Sequence, residues 1–347
     1  MCTLLPLVKD KFGNITCSNN YRAIASGCLL LKLLDIVILL LEGDKLSFSE
    51  LQFAYQANVS TTVCSWAVTS VVDYFNTTGT TVYGAAMDMS KAFDMVEWCE
   101  LFRTLLDRNV ECVFLRLMLF IYTHQKCSVK WCGESSASFS VSNGVRQGAV
   151  SSAVLFAVYI DGLLKILEES RFGCYIQGVF FGAFIFADDI FLLSASRTGL
   201  QALVDISHEF VSLKNLAFGT NPIASKSKTK CIIFSKKAKD HIGVKNITLD
   251  GSMLPWVKTV LHLGCTLDSS NSMKNDILIK RGRFIGKFNS LLQELHFASE
   301  EVLLTLINTH ATSFYGSPLW DLYSADCEKL YKSWNVSMRQ EDSQISS

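Results

Sequence analysis

Apolar and polar positions follow two different periods along the chain, and these periods predict both strands and helices. Residues 80–106 begin with an apolar run that ends at Asp88 and continue with apolar residues at helical spacing from Phe93 to Leu105. We therefore predict a strand, a turn and a helix here, with a carboxylate at the end of the strand.

A second apolar stretch, residues 176–193, contains two adjacent carboxylates, Asp188 and Asp189. Its length approaches the roughly 20 residues that a transmembrane helix needs. Each carboxylate, however, would cost about 2.5–3.5 kcal/mol inside the hydrocarbon. We interpret the stretch instead as a β-hairpin whose turn lifts both carboxylates out of the core.

Further segments are predicted to be helical from their apolar spacing. Residues 29–41 are strongly apolar but too short to span a bilayer, so we expect a buried helix there. Residues 144–169 predict a second buried helix, which opens from a glycine-framed polar loop. An amphipathic helix at 274–295 and helical stretches near 300–312 and 326–340 follow.

Composition indicates a globular chain of two or three lobes. With 49% hydrophobic residues, 4 Pro and 20 Gly, the 347 residues can bury a large core, unlike a disordered regulatory protein. No secretory signal is recognisable, and the 12 cysteines contain no CxxC pair or zinc-finger spacing. We expect an intracellular protein, in the nucleus, the cytoplasm or both, without a membrane partner; a membrane or secreted glycoprotein is the disfavoured alternative.

Charge is distributed unevenly although its sum is zero. The chain has 32 Lys+Arg and 32 Asp+Glu, an average that does not indicate a nucleic-acid-binding protein. Residues 226–287, however, carry 13 Lys/Arg against 4 Asp/Glu, and the remainder is correspondingly acidic. Such a basic segment favours polyanions, although solvated helix faces would give the same count.

Three carboxylates, Asp88, Asp188 and Asp189, stand at the ends of the predicted strands. Asp is a common turn residue, but an Asp-Asp pair between apolar runs places like charges side by side, which is unfavourable unless a cation neutralises them. Mg²⁺ prefers carboxylate oxygens and accepts phosphate oxygens as further ligands. Two such ions can activate a 3′-hydroxyl and stabilise a departing pyrophosphate.

Five ordered blocks resemble the reverse transcriptase domain of non-LTR (LINE-type) retrotransposons: MDMSKAFDMV, GVRQGAVSSAVLFAVYIDGLL, FADD, KTKCIIF and HLG. The similarity extends to PLVKDKFG and NNYRAI near the start, to LQFAYQANVSTT, and to YGSPLW after the basic helix, so it covers nearly the whole chain. It implies an α+β right-hand polymerase fold of fingers, palm and thumb, with a ferredoxin-like antiparallel sheet in the palm.

The resemblance also implies a division of the chain. We expect fingers at 1–79, a first palm segment with a metal-binding Asp at 80–106, an insertion between fingers and palm at 107–143, a second palm segment at 144–270, a helical thumb at 271–340 and a disordered tail at 341–347.

Matching positions imply a role for each candidate residue. The expected catalytic carboxylates are Asp88, Asp188 and Asp189, and the expected metal ligands are Asp88, the backbone carbonyl of Met89, and Asp188, which would hold two Mg²⁺ ions for which Mn²⁺ could substitute. The expected dNTP-binding residues are Lys9, Arg22, Phe93, Arg146, Gln147 and Lys228, of which Phe93 abuts the sugar 2′ position. The expected template-primer cations are Lys280, Arg281, Arg283 and Lys287.

The leading hypothesis is an RNA-directed DNA polymerase that extends a DNA primer on an RNA template with dNTPs. The alternative is a catalytically decayed, retrotransposon-derived remnant that still binds nucleic acid. It draws on departures from the family pattern, namely Ala23 and Ala153 where proline is usual, Phe186 where tyrosine is usual, and a wide gap between Asn221 and Lys228.

Overall fold

Strands and helices are interspersed along the chain in the computed structural model, which describes residues 2–11, 13–221 and 227–345. The elements up to residue 169 are β1 (Cys2–Val8), β2 (Tyr21–Ser26), α1 (Leu29–Glu42), α2 (Thr61–Thr77), β3 (Val82–Asp88), α3 (Ala92–Met95), α4 (Trp98–Asp107), α5 (Cys112–Thr123), β4 (Lys126–Trp131), β5 (Glu134–Ser135), β6 (Phe139–Ser140), α6 (Ser152–Ile160) and α7 (Gly162–Glu169). Those that follow are β7 (Tyr175–Ile176), β8 (Val179–Phe180), β9 (Ala183–Phe186), β10 (Asp189–Ser194), α8 (Arg197–Leu213), β11 (Lys230–Phe234), β12 (Ile247–Leu249), β13 (Ser252–Leu254), β14 (Trp256–Val257), β15 (Thr259–His262), β16 (Cys265–Asp268), α9 (Lys274–Glu294), α10 (Glu300–Leu306) and α11 (Ala325–Ile345). The predicted α+β class is confirmed.

The central sheet has the strand order β14-β11-β3-β10-β9, and β11, β3, β10 and β9 pair antiparallel. Asp88 at the end of β3 lies in register opposite Asp189 at the start of β10. Ala187 and Asp188 form the turn between β9 and β10. The predicted hairpin is present, but the expectation that its turn lifts both carboxylates out of the core is wrong, because Asp189 is already paired as the first residue of β10 and both carboxylates are partly buried.

Apolar side chains cover both faces of the central sheet, because successive strand residues point to opposite sides. Ala85 and Met87 of β3 lie in a core that includes residues of α4, α6, α7 and α8. Ala86 lies in a second core with Phe191 and with Val68 of α2. Two buried faces fix the strand register, since a slip of one residue would exchange them.

A second sheet, the N-terminal sheet, has the order β2-β1-β4-β5, with β6 also paired to β4. Its strands β1 and β2 form an antiparallel hairpin in which Leu7 lies opposite Arg22. The backbone N–H of Lys9 donates to the Asn20 carbonyl at 2.8 Å, so Lys9 and Arg22 lie at the same end of the hairpin.

The apolar helix predicted at 29–41 is present as α1, but the prediction that it is buried is wrong. Only the side with Asp35, Ile38 and Glu42 is buried. The opposite side exposes Leu29, Leu30, Leu33, Ile36, Val37, Leu40 and Leu41. Apolar composition predicted the helix but carried no information about how many neighbours pack on it. Within the described ranges, no helix is long and apolar enough to span a membrane.

The helix predicted at 144–169 begins later than expected and is interrupted. It starts at Ser152, so Arg146 and Gln147 lie in the preceding loop rather than in its first turn. The break between α6 and α7 falls at Asp161, whose carboxylate accepts hydrogen bonds from the Ser49 backbone N–H at 2.8 Å and the Arg108 guanidinium at 2.6 Å.

The C-terminal helical unit consists of α9, α10 and α11, which pack around Phe284, Phe288, Leu303, Ile307 and Trp334. The predicted helix at 274–295 is confirmed as α9. The backbone of α11 is helical to Ile345, where the sequence predicted a tail from 341, and residues 346–347 lie outside the described part.

A buried ion pair joins this unit to the β15–β16 hairpin. The Asp276 carboxylate accepts from the Lys280 ammonium at 2.7 Å, the Trp320 indole N–H at 2.8 Å and the Thr266 backbone N–H at 2.9 Å. Lys280 is only 6% exposed. The expectation that Lys280 contacts a template-primer is therefore wrong, because its ammonium is buried and paired with Asp276.

We predict that Lys280→Met lowers the free energy of unfolding by about 3 kcal/mol, because it leaves the Asp276 carboxylate buried without its counter-charge. Urea unfolding followed by circular dichroism measures this loss. Lys287→Met is the matched control, since Lys287 is exposed on the same helix and its ammonium donates to the His310 carbonyl at 2.8 Å rather than to a buried carboxylate. Equal, small losses in the two variants, with weaker nucleic-acid binding by Lys280→Met alone, would contradict this account.

Candidate active site

A cleft of about 780 Å³ opens between the β1–β2 hairpin and the end of the central sheet that carries Asp88. Nine residues assigned from the sequence line it: Lys9, Arg22, Asp88, Met89, Phe93, Arg146, Gln147, Asp188 and Lys228. The structure thus brings together the expected metal ligands and every expected dNTP-binding residue, which come from six separate segments of the chain.

Backbone pairing places the carboxylates. Asp88 and Asp189 face each other across the β3–β10 pair. Asp188 occupies the turn, and its carbonyl accepts from the Met89 backbone N–H at 3.3 Å. Asp189 does not line the cleft; it lies on the side of α2, where its charge contributes to raising the pKa of the Cys64 thiol.

Burial and mutual repulsion disfavour the charged form of these carboxylates. Burial raises the pKa of Asp189 to about 6, and the charges of Asp188 and Asp88 add to that rise. Burial also raises the pKa of Asp188, reinforced by Asp88 and opposed by the charges of Arg22 and Lys228. The carboxylates therefore lack sufficient positive charge of their own and favour an added cation.

Lys228 supplies part of that charge. Its ammonium lies 2.8 Å from Oδ2 of Asp88, and its side chain is largely exposed to the cleft. Such an exposed ion pair is weakly held. The amine can therefore leave Asp88 when a stronger ligand for the carboxylate, or a stronger anion for the amine, enters the cleft.

The donor set fits a divalent cation only in part. Among residues 2–11, 13–221 and 227–345, no group of three His, Cys, Asp or Glu side chains is arranged as a complete metal cage. Asp88 and Asp188 offer hard carboxylate oxygens, and Met89 lines the same cleft. Mg²⁺ is commonly bound through one or two carboxylates plus substrate phosphates, so two carboxylates beside an open cleft suit that mode of binding.

Phe93 presents a fixed aromatic ring to the cleft. It stacks on the buried Phe156, with ring centroids 4.6 Å apart and planes at 21°. Its carbonyl accepts from the Val145 backbone N–H at 2.8 Å, which ties it to the 144–149 loop. A ring that stacks on a buried neighbour, carried by a backbone tied to this loop, can exclude a substituent by volume.

The 144–149 loop is framed by glycines and held at both of its polar side chains. Gly144 has φ +83°, and an added Cβ there would lie 2.8 Å from the Asp94 carbonyl oxygen. The Gln147 amide donates to Oδ1 of Asp94 at 2.8 Å. Arg146 is buried, with its guanidinium 3.5 Å from Oδ1 of Asp35 on α1. Arg146 thus anchors the loop to α1, a function that the sequence did not predict.

The two hairpin cations stand on the other side of the cleft. Lys9 and Arg22 are both exposed, and the Lys9 ammonium donates to the Asn19 carbonyl at 3.3 Å. The Arg22 charge opposes the rise in the Asp188 pKa that burial causes, so Arg22 lies close to the carboxylate turn. Cationic side chains opposite carboxylates can bind a ligand that carries both phosphates and cations.

Tyr55 and Lys91 are among the cleft residues that the sequence did not predict. Both have left-handed backbones, with φ of +65° and +52°. Burial, aided by the Asp188 charge, raises the pKa of Tyr55 to about 12. Tyr55 belongs to the LQFAYQANVSTT stretch, which resembles the family, but the resemblance did not indicate which of its residues line the cleft.

The basic segment 226–287 does not form one surface. Lys230, at the start of β11, pairs with Ala86, close to the carboxylates. Phe234, at the other end of β11, pairs with Val82, so Lys236, Lys237 and Lys239 come after the end of the strand that is farther from the carboxylates. Lys226 lies outside the described residues. On α9, Arg281 donates to Ser333 Oγ at 2.7 Å and Arg283 is exposed, but neither lines the cleft. Their binding of a template-primer stays a prediction.

Known proteins resemble this chain in sequence. The reverse transcriptase (RNA-dependent DNA polymerase) family profile matches residues 9–267. The chain is 30% identical over 161 residues, 45% of its length, to the Pol polyprotein of the type-2 retrotransposable element R2DM of Drosophila melanogaster. It is 31% identical over 121 residues, 35% of its length, to that of the type-1 element R2 of Nasonia vitripennis. These matches span only 15% and 12% of the two relatives.

A solved structure has the same fold. Telomerase from Candida albicans, in complex with the TWJ fragment of telomeric RNA, superposes with a TM-score of 0.50 at 10% identity, over 100% of this chain and 60% of that one. At that identity the likeness concerns the fold alone, and it confirms the right-hand polymerase architecture expected from the sequence. The chain therefore belongs to the reverse transcriptase (RNA-dependent DNA polymerase) family, and its relatives are retrotransposon proteins of the R2 type.

Proposed function

We propose that this chain is an RNA-directed DNA polymerase domain that adds dNTPs to a DNA primer on an RNA template. The observation that carries the proposal is the cleft itself, where Asp88 and Asp188 stand opposite Lys9 and Arg22. A dNTP bound with divalent ions needs carboxylates on one side and cations on the other, and the family match makes this the substrate class to test.

Asp88 and Asp188, with the Met89 carbonyl, would hold two Mg²⁺ ions, which supply positive charge for the attacking 3′-oxygen and the departing pyrophosphate. Lys9 and Arg22 would bind the triphosphate oxygens. Lys228 would exchange its contact with Asp88 for one with the pyrophosphate, whose charge its ammonium can neutralise. Gln147, held by Asp94, would orient the nucleotide.

Primer extension on an RNA template tests the activity. We expect the wild-type chain to incorporate dNTPs and Asp188→Asn to be at least about 100-fold slower, because a metal-binding charge worth several kcal/mol is lost. Asp205→Asn, at an exposed position of α8, is the control and should behave as wild type. Binding of template-primer without extension by the wild type would favour the decayed remnant instead.

Phe93→Val should raise ribonucleotide incorporation relative to deoxynucleotide incorporation by about tenfold or more, because the smaller side chain leaves room for a 2′-hydroxyl. Single-nucleotide incorporation with each substrate gives this ratio. Phe172→Val, at an exposed phenylalanine outside the cleft, serves as the control. An unchanged ratio would remove Phe93 from the assigned role.

The contribution of Asp189 to the stability of the metal-free protein should fall as the pH rises from about 4 to above 6. The Asp189 pKa of about 6, against 3.8 ordinarily, means that the folded state holds this proton more tightly. The corresponding contribution, about 3 kcal/mol, is present at low pH and is lost as the pH rises past 6.

Urea unfolding of wild type and Asp189→Asn at pH 5 and pH 8 isolates this effect, because other titrating groups are common to both proteins. Buried His262, whose pKa is lowered to about 3, is the main one. Relative to wild type, the variant should gain stability at pH 8. Millimolar Mg²⁺ should recover stability in wild type. Identical pH profiles for the two proteins would contradict the assignment.

A further inference from the structure

A segment far from the catalytic blocks extends the central sheet beside its outer strand. The Ile185 backbone N–H of β9 donates to the Leu51 carbonyl at 2.9 Å, and the Phe53 N–H donates to the Ile185 carbonyl at 2.8 Å. Gln52 thereby lies parallel to Ile185, two residues before the carboxylate turn. This pairing fixes the backbone of Gln52 relative to the carboxylate turn.

The Gln52 side chain holds the turn itself. It is 1% exposed, and its Oε1 accepts from the Ala187 backbone N–H at 3.1 Å and from the Ala54 N–H at 3.2 Å. The two donors fix the orientation of the amide, because the opposite orientation would aim Nε2 at two N–H groups. One side-chain oxygen thus joins the turn that carries Asp188 to the strand-like segment at 51–54.

The turn needs this support. Ala187 has φ +57°, a left-handed conformation that costs a non-glycine residue about 1–2 kcal/mol. Ala187 is buried, so its N–H depends on Gln52 rather than on water. Without that acceptor, both the strain and an unpaired buried donor would favour a different backbone at Ala187, and Asp188 follows directly.

The stability of the fold alone does not explain why an amide side chain occupies position 52. Among the described residues, Nε2 of Gln52 has no hydrogen-bond partner, and it is buried. An unpaired buried amide donor costs about 1–3 kcal/mol. An apolar side chain of similar volume would avoid that cost but would give up the contact with the turn.

We propose that Gln52 is a positioning residue for Asp188, which it holds at the place where that carboxylate binds a divalent cation. The inference rests on the proposed function, because it assumes that Asp188 is a metal ligand. Gln52 touches neither substrate nor cation. It acts on cation affinity through the backbone of Ala187.

Gln52→Met tests this, since methionine keeps the volume and removes the acceptor oxygen. Mn²⁺ affinity, measured by electron paramagnetic resonance with dNTP present and no primer, should fall about 10-fold or more. Primer extension should need a correspondingly higher Mg²⁺ concentration, with the dNTP KM at saturating Mg²⁺ unchanged. Gln56→Leu is the matched control: Gln56 lies in the same segment, donates to the Gln52 and Ser49 carbonyls, and should leave Mn²⁺ affinity unchanged.

A second substitution should reverse the defect. Glycine adopts φ +57° without strain, so Gln52→Met combined with Ala187→Gly should recover Mn²⁺ affinity to within about 3-fold of wild type. A merely structural role for Gln52 predicts no such recovery. Wild-type Mn²⁺ affinity in folded Gln52→Met, equal losses in Gln56→Leu, or failure of the glycine to restore binding would each overturn the proposal. Loss of folding in both Gln52→Met and Gln52→Met combined with Ala187→Gly would also overturn it, because Gln52 would then contribute to the core as a whole rather than to the turn.

Asp188→Asn, measured in the same Mn²⁺ titration, separates this proposal from the proposed function. If Asp188→Asn does not weaken Mn²⁺ binding, the metal-binding role of Asp188 fails, and the inference fails with it. If Asp188→Asn weakens binding and Gln52→Met does not, only the role of Gln52 fails.

Discussion

The central constraint is the register of β3 against β10, which forces like charges together. Asp88 and Asp189 are opposite each other, and Asp188 occupies the adjoining turn. The strands cannot slip to separate them, because both faces of the sheet are buried and a shift of one residue would exchange the faces. Folding energy from two apolar cores therefore holds three acids in one place. Burial raises the pKa values of Asp188 and Asp189, the repulsion adds to that rise, and added positive charge relieves it.

The surrounding elements can be understood as sources or anchors of that positive charge. The β1–β2 hairpin brings Lys9 and Arg22, and the segment before β11 brings Lys228. Arg146 acts differently, because its pairing with Asp35 fixes the 144–149 loop to α1, so that Gln147 meets the cleft at a defined position. Gln52 anchors the carboxylate turn in a similar way. The site thus combines weakly held charges, which can move to a ligand, with buried polar contacts, which keep the loops in place.

The sequence predicted those parts of the site that local pattern determines. An Asp-Asp pair between apolar runs has few structural solutions, and the hairpin with Asp188 in its turn followed from it. Prediction failed where the partner is distant in the chain. Lys280 resembled a solvated cation, but Trp320 and the β16 backbone complete its burial with Asp276. Arg146 finds Asp35 on another element. The exposed leucines of α1 and the buried amide of Gln52 likewise depend on which neighbours the fold brings, which no periodicity records.

The central claim is that the carboxylates form an incomplete cation site that a nucleoside triphosphate completes. Calorimetric titration of a nonhydrolysable dNTP analogue, with Mg²⁺ and with EDTA, tests it without any chemistry or template. We expect Mg²⁺ to strengthen nucleotide binding about 10-fold or more, a coupling of ordinary size for linked ligands, and we expect this gain to vanish in Asp88→Asn and Asp188→Asn. Equal affinity in Mg²⁺ and EDTA, or a gain that survives both substitutions, would contradict the account.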